Sequence, residues 1–313
     1  MTTNNLQKFI KSLKDNRDLS FDLLEIKNCP VFPAFSYHRC HLKRDNVDLI
    51  GTGEDFDNEI SQWKAIGEVL ERWPLVDKSL EWSALSLSPQ KRENLKFKSS
   101  NGCAFHFDKE LALLGARKEV YERHIILKAW LEGCGVYEVT FNLMGKIQQF
   151  LNSKKNEVKT RCLYFENDLN LPIFCTEIWG KDFRFYGYGA DLDKEKALFK
   201  SYYEAWRFYW DYQSGKKRQF TQGEDPCLEH YYHYLNHHAL EAFPVVGSLA
   251  FKSLLSLKEF HYHGGEAYLC DLNQVGIHGY VYKIIDNELI DLWVGPLKED
   301  QGIRKVGDFH PIA

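Results

Sequence analysis

Three stretches of this chain repeat one pattern without a gap, and that repeat limits the fold more than any other feature. They are "GTGEDFDNEISQWKAIGEVLERW", "GCAFHFDKELALLGARKEVYERH" and "GYGADLDKEKALFKSYYEAWRFY". Each opens on a glycine (Gly51, Gly102, Gly187), with a small residue two places on (Gly53, Ala104, Gly189). An aspartate follows at the sixth place (Asp57, Asp108, Asp193), and a glutamate after a further constant interval (Glu68, Glu119, Glu204). A small residue stands one turn before that glutamate (Ala65, Ala116, Ser201). Glycine permits a tight turn or a close approach. Aspartate caps a helix N-terminus and suits its positive end. Each stretch therefore reads as a β-turn-α unit whose helix presents a glutamate, at the same depth in all three, beside a small residue that lets something approach.

Two of the helices carry Glu-x-x-Glu-Arg, at Glu68, Glu71, Arg72 and at Glu119, Glu122, Arg123. Residues i, i+3 and i+4 share a helix face, so each copy projects two carboxylates and a guanidinium to one side. For one copy a solvated face with an internal ion pair is sufficient; two copies in matched frames call for more. The third unit has Arg207 where the others have the second glutamate, and is the degenerate member.

The expected fold is α+β: a single mixed domain over 1–313 whose helices converge on one nucleotide and metal site. Within it, 1–50 form an N-terminal strand and helix segment, 51–215 the three glycine-turn-helix units and 216–313 a C-terminal part. "RCLYFEND" and "LPIFCTEIWG" read as strands, and "AYLCDLNQVGIHGYVYKIIDNELIDLWVG" as strand segments with short breaks. "LEHYYHYLNHHALEAF" reads as a helix and "QSGKKRQFTQGEDP" as a long loop. With 44% hydrophobic residues the chain has ample material for a core, and a net charge of −4 argues against a nucleic-acid footprint. No apolar run reaches membrane-spanning length and the start has no signal-like core, so a cytoplasmic location is expected. The eight cysteines are scattered without a C-x-x-C, a pattern of reduced, mostly buried thiols.

Glutamates gathered in one place repel each other unless a cation lies among them. Mg²⁺ suits glutamate oxygens, keeps some of its waters and shares its site with phosphate oxygens. Arginines bind phosphate through paired N–H groups. The constellation therefore points to a metal–nucleotide site for phosphoryl transfer, of a design other than a Walker or kinase loop. A di-iron carboxylate bundle would place His at the i+3 position and is disfavoured.

At these residues the chain resembles the YcaO family. "GTGEDFDNEISQWKAIGEVLER" and "SSNGCAFHFDKELALLGARKEVYERH" look like its two signature segments, and "GYGADLDKEKALFKSYYEAW" is similar to its later Gly-x-Gly helix. "DPCLEHYYHYLNHHALEAF" resembles a segment of its azoline-forming members, and the likeness runs from about Gly51 to the terminal "FHPIA". The resemblance implies ATP and Mg²⁺ as cofactors, with the metal on Glu68, Glu71, Glu119 and Glu122. Ser100, Asn101, Arg72, Arg123 and Lys283 are the implied nucleotide contacts, and His106 and His310 the candidate catalytic residues. The implied reaction is ATP-dependent cyclodehydration of a ribosomally made peptide, giving thiazoline or oxazoline. Partners would be the precursor peptide and a separate E1-like or ThiF-like leader-binding subunit; whether the chain is also a homodimer is left open.

Several positions depart from the family pattern. Its Gly-Lys-Gly is Gly51-Thr52-Gly53 here, a glutamate before Ala112 is Leu111, a strand arginine is Lys283, and the stretch from Arg72 to Ser99 is short. The alternatives are therefore a non-catalytic subunit of a peptide-modifying complex, or an enzyme forming thioamides or amidines. The histidines at 230, 233, 237 and 238 read as an aromatic helix face. His38, Cys40 and His41 are poorly spaced for zinc, and His261 and His263 belong to a strand face or a turn.

Overall fold

The computed structural model describes residues 3–25, 36–45, 47–55, 57–77, 79–84, 100–140, 158–181, 183–213 and 243–290. In chain order the described elements begin with α1 (Thr3–Asp15), β1 (Ser20–Glu25), β2 (Ser36–Arg44), β3 (Val47–Asp55), α2 (Asn58–Val76), β4 (Ser83–Ala84) and β5 (Cys103–His106). They continue with α3 (Lys109–Glu132), β6 (Val136–Thr140), β7 (Lys159–Phe165), β8 (Ile173–Trp179), β9 (Arg184–Ala190) and α4 (Lys194–Gln213). Last come β10 (Gly247–Ala250), β11 (Glu266–Asp271) and β12 (Tyr280–Ile285). Helices and sheets of both kinds confirm the expected α+β class. The chain divides into two compact units, Met1–Tyr121 with Tyr262–Leu289, and Glu122–His261 with Ile290–Ala313.

The first unit holds two sheets. One is the antiparallel meander β1-β2-β3; the other has the order β4-β11-β12-β5, so strands from the far end of the chain complete it. Helix α2 lies on the meander and buries Ala65, Ile66, Val69, Leu70 and Trp73 in a core shared with Leu6, Ile10 and Leu13 of α1. The early part of α3 sets Ala112, Ala116 and Val120 against Tyr282 and Ile284 of β12.

The second unit is built on a five-stranded sheet, order β10-β6-β7-β8-β9, with α4 on one face. Thr176 of β8 and Ser201 of α4 hydrogen-bond there at 2.9 Å, while Ala197 and Leu198 pack with Cys162 and Phe174. Glu177 lies buried on the other face, between Arg161 and Arg184.

The three repeats are borne out as strand–helix units, and their strands β3, β5 and β9 each lie at a sheet edge. All three aspartates cap as expected: Asp57 accepts from the Glu59 and Ile60 amides, Asp108 from Leu111 and Asp193 from Glu195. The glycines divide between the two roles the sequence allowed. Gly102 turns, at φ 71°, whereas Gly53 and Gly187 lie within strands, pressed against helix backbone. A Cβ on Gly53 would fall 2.0 Å from the Ser61 carbonyl oxygen, and one on Gly187 2.1 Å from the Ala205 nitrogen. In two of the repeats, then, what approaches the small helical residue is the repeat's own strand. The six described cysteines are free, and all but Cys134 are buried. The helix expected over the histidine-rich stretch from 228 lies outside the described residues, as do His310 and nearly all of the expected loop.

Candidate functional site

Each unit carries an acidic group, built the same way. In the first, the edge strand β3 leaves the Thr52 amide facing outward, and Glu68 of α2 satisfies it through Oε2. The Thr52 hydroxyl donates to the same oxygen at 3.0 Å. Arg72, one turn later, bridges Oε1 of Glu68 at 2.6 Å and also donates to the Ile50 carbonyl at 3.2 Å. Glu71 shares this group with Glu119 of α3. Burial, then the charges of Glu119 and Glu68, push its carboxyl well above the usual range, against the pull of Arg72 and Lys283.

Lys283 is buried on β12, opposite Cys103 of β5, and donates to the Asn101 carbonyl. Ser100 forms the turn before β5, its carbonyl taking the Cys103 amide at 2.9 Å. Burial raises the Cys103 thiol well above its ordinary value, against the pull of Lys283. His106 stands three residues along β5, across from Tyr280, and its Nδ1 accepts the Asp108 amide at 2.9 Å where α3 begins.

In the second unit the edge strand β9 repeats the device: the Tyr188 amide donates to Oε2 of Glu204. Glu122 of α3 is buried, which raises its carboxyl. Arg123 opposes that rise, Glu204 adds to it, and Lys200 and a hydrogen bond from the Ala190 backbone oppose it again. The ion pairs here are long, 3.5 Å for Arg123 with Glu122 and 3.9 Å for Arg207 with Glu204.

The sequence-derived candidates therefore group as follows. Glu68, Glu71, Glu119, Arg72 and Lys283 share one acidic neighbourhood, with Asn101 joined through Lys283. Glu122 and Arg123 have Glu204 and Lys200 as neighbours. Among the described residues the other histidine patterns do not assemble a site: alternation along β2 separates His41 from His38 and Cys40, and His38 bonds Ser61 at 2.6 Å. His261 and His263 lie in irregular backbone. Sequence reasoning missed the part played by the edge-strand amides, and Lys200, whose spacing offered no signal.

Among the described residues no three His, Cys, Asp or Glu side chains are drawn close enough to grip a bare metal ion. The donor set nevertheless fits Mg²⁺, which dehydrates reluctantly and takes one or two carboxylates with its waters retained. A carboxyl held above its normal range by burial and then by neighbouring carboxylates is one that a cation would draw back towards the charged form.

The family model of the YcaO cyclodehydratases, described as ATP- and Mg²⁺-binding, matches residues 75–286. The chain belongs to the YcaO family. Solved structures share its fold: YcaO from Methanopyrus kandleri bound with AMPPCP and Mg²⁺ has a TM-score of 0.62 at 13% identity, covering 91% of this chain and 90% of that one. The E. coli microcin synthetase McbBCD complex has a TM-score of 0.63 at 15% identity, covering 81% of this chain and 85% of that one. A heterocyclase in complex with substrate and cofactor has a TM-score of 0.65 at 14% identity; 92% of this YcaO chain is covered, but only 53% of the heterocyclase. No curated protein matches. ATP and Mg²⁺, expected from the sequence, are the cofactors of the family's description. No helix among the described residues is long and apolar enough to cross a membrane.

Proposed function

We propose that this YcaO protein is an ATP- and Mg²⁺-dependent cyclodehydratase acting on the backbone of a ribosomally made peptide, to give thiazoline or oxazoline. The observation that carries this reading is the acidic group of the first unit. Its Glu71 carboxyl is pushed towards the neutral form by burial and by two more carboxylates, Glu119 and Glu68, and a divalent cation among them would oppose that push.

Glu68, Glu71 and Glu119 are the proposed metal residues of the first unit, and Glu122 that of the second. Arg72, Arg123 and Lys283 would neutralise and orient phosphate, with Ser100 and Asn101 shaping the turn beside the nucleotide. Bound ATP would supply the phosphoryl group that lets the amide oxygen leave as phosphate once a Cys, Ser or Thr side chain of the peptide has added to that carbonyl. His106 and His310 are the proposed proton carriers. For His106 the candidate nitrogen is Nε2, since Nδ1 already accepts the Asp108 amide.

The peptide and a separate E1-like subunit are the proposed partners, in keeping with a fold-mate solved as the McbBCD complex. A second reading, a non-catalytic subunit of such a complex, draws support from Leu111, half-exposed where the family pattern has a carboxylate. Incubating the purified chain with ATP, Mg²⁺, a neighbouring precursor peptide and the neighbouring E1-like protein separates the two. Loss of one water per modified residue, with ATP hydrolysis, supports the enzyme. Mg·ATP binding that is absent by calorimetry supports the scaffold; a mass gain from exchange of oxygen for sulfur supports a thioamide, and an amidine, which loses the same water when its amine is internal, is told apart by its linkage in peptide fragmentation.

A further inference from the structure

Helix α3 has another side, turned away from its glutamates. Lys109, Leu113 and Arg117 follow at intervals of four, which sets them along one stripe of the helix. Arg117 and Glu119 are two places apart and therefore roughly 200° apart around the axis. Leu113 packs with Tyr262, Tyr280 and Tyr282 in the small cluster between α3 and β12. The Lys109 Nζ lies 4.9 Å from the centre of the Tyr280 ring. The Arg117 charge reaches the other two rings. Burial raises the Tyr282 hydroxyl and Arg117 opposes that rise. At Tyr262 burial, the hydrogen bond to Asp286 and the charges of Asp286 and Glu288 raise the hydroxyl, and Arg117 opposes them. Two cations and three tyrosines thus line one seam.

Neither cation stands where folding alone would place it. Lys109 opens α3, at the end whose amides favour negative charge. Arg117 makes no hydrogen bond or ion pair with any described residue, and its Nε is enclosed without an acceptor. Such a donor is costly to leave unmatched. Asp286, whose charge reaches the same tyrosine, is taken by the Tyr262 hydroxyl. Arg117 is only partly buried, so its terminal N–H groups stay open to an acceptor from outside.

We infer that the seam between α3 and β12 docks an extended segment of the peptide substrate that carries carboxylates four residues apart, one on Lys109 and one on Arg117, with an apolar side chain between them on Leu113. The choice of occupant rests on the reading of this protein as a peptide-modifying enzyme. Spacing sets the pattern. Lys109 and Arg117 are eight residues apart (117 − 109), about 12 Å of helix at roughly 1.5 Å each. An extended peptide advances four residues in about 13 Å, and its side chains at i, i+2 and i+4 face one way. His106 stands across from Tyr280 at the Lys109 end, so a segment lying in the seam leads towards the proposed proton carrier.

Fluorescence anisotropy on the full chain, without nucleotide, tests this with a capped peptide Gly-Glu-Ser-Leu-Ser-Glu-Gly carrying an uncharged dye. The wild type is expected to bind it at least about tenfold tighter than the form with Gln for both Glu. It should also favour it by about fivefold over Gly-Ser-Glu-Leu-Glu-Ser-Gly, whose carboxylates are two residues apart. Arg117→Met should cost about tenfold, the scale of a hydrogen bond to a charged group. Lys109→Glu is exposed and suits the helix terminus, so it folds even if Arg117→Met does not. It should lose about fivefold or more, and regain binding to one of the two probes in which a single Glu becomes Lys. A role in folding would not produce that exchange of preference. Equal affinity for the Glu and Gln peptides, no preference for the wider spacing, or a Lys109→Glu variant that binds as wild type would overturn the inference. A chain that modifies peptide without this preference loses the seam alone. One that keeps the preference yet modifies no peptide with ATP, Mg²⁺ and its partner loses the enzyme reading and keeps the seam as a site for acidic peptide.

Discussion

Two glycines, one on the strand that faces α2 and one within α2, should respond to the same substitution with opposite signs. Gly53, on β3, faces the helix backbone. The Cβ of an alanine there would sit 2.0 Å from the Ser61 oxygen and 2.4 Å from the Ala65 nitrogen. Ordinary contact begins near 3.4 Å, so strand or helix must yield by about 1.4 Å (3.4 − 2.0). Forcing an extra methyl into a packed site costs about 1–3 kcal/mol where side chains adjust. Here the obstacle is backbone, which places Gly53→Ala at about 3 kcal/mol. Gly67 lies inside α2, where the nearest atom to an added Cβ is Cδ1 of Phe105 at 4.0 Å, ordinary contact. Alanine in a helix interior is favoured over glycine by roughly 0.5–1 kcal/mol, so Gly67→Ala should stabilise. The variants then differ by about 4 kcal/mol, close to a thousandfold in the opening equilibrium of α2. Hydrogen exchange of α2 peptides under rising urea reads that equilibrium locally, without two-state unfolding of the whole chain. Changes of the same sign, or a Gly53→Ala effect below about 0.5 kcal/mol, would refute the close-packing argument.

Other outcomes follow from charges. Because the Glu71 carboxyl is raised, folded protein without metal holds a proton that the unfolded chain releases. Stability should therefore fall as pH rises from the ordinary value of 4.5 to the raised folded value, then level off. Glu71→Gln should flatten that slope in thermal unfolding, and saturating Mg²⁺ should remove it. Glu177→Gln leaves Arg161 and Arg184 facing a neutral group in a buried setting; a loss of about 3 kcal/mol is expected in thermal denaturation, and a loss under about 1 kcal/mol would show the triad to be dispensable. At Asp77 burial favours the protonated form, but hydrogen bonds from Ser79 and Trp73 and the charge of Arg44 outweigh it and hold the carboxyl low. Its contribution is present above the ordinary aspartate value and lost as pH falls through the lowered one, so Asp77→Asn should be less stable than wild type at neutral pH and close to it in acid.

The local rules were legible because their causes are local. Asp57, Asp108 and Asp193 cap amides two or three residues away, so spacing alone revealed them. The glycines were legible only as a choice, since turning at Gly102 and packing at Gly53 depend on what stands opposite. Distant pairing was opaque: nothing near Cys103 announces that Lys283 lies across from it, 180 positions later in the chain (283 − 103). The environments of the glutamates were opaque for the same reason. Glu119 and Glu122 are one turn apart on α3, yet the first has Glu71 as its acidic neighbour and the second Glu204. Glu68 and Glu71 look equivalent in a Glu-x-x-Glu motif; only the outward amide and hydroxyl of an edge strand distinguish them.

The interrupted order of the first unit has a bearing on how the chain matures at the ribosome. Residues 122–261 emerge between its two parts, 140 positions, or about 7–28 s of synthesis at 5–20 residues per second. Throughout that interval β5 has no β12 to pair with, and Ala112, Ala116 and Val120 of α3 have no Tyr282 or Ile284 to rest on. The apolar side chains of this half of the first unit therefore wait many seconds for the strands that cover them, which makes the interval the stage of synthesis most exposed to misassembly.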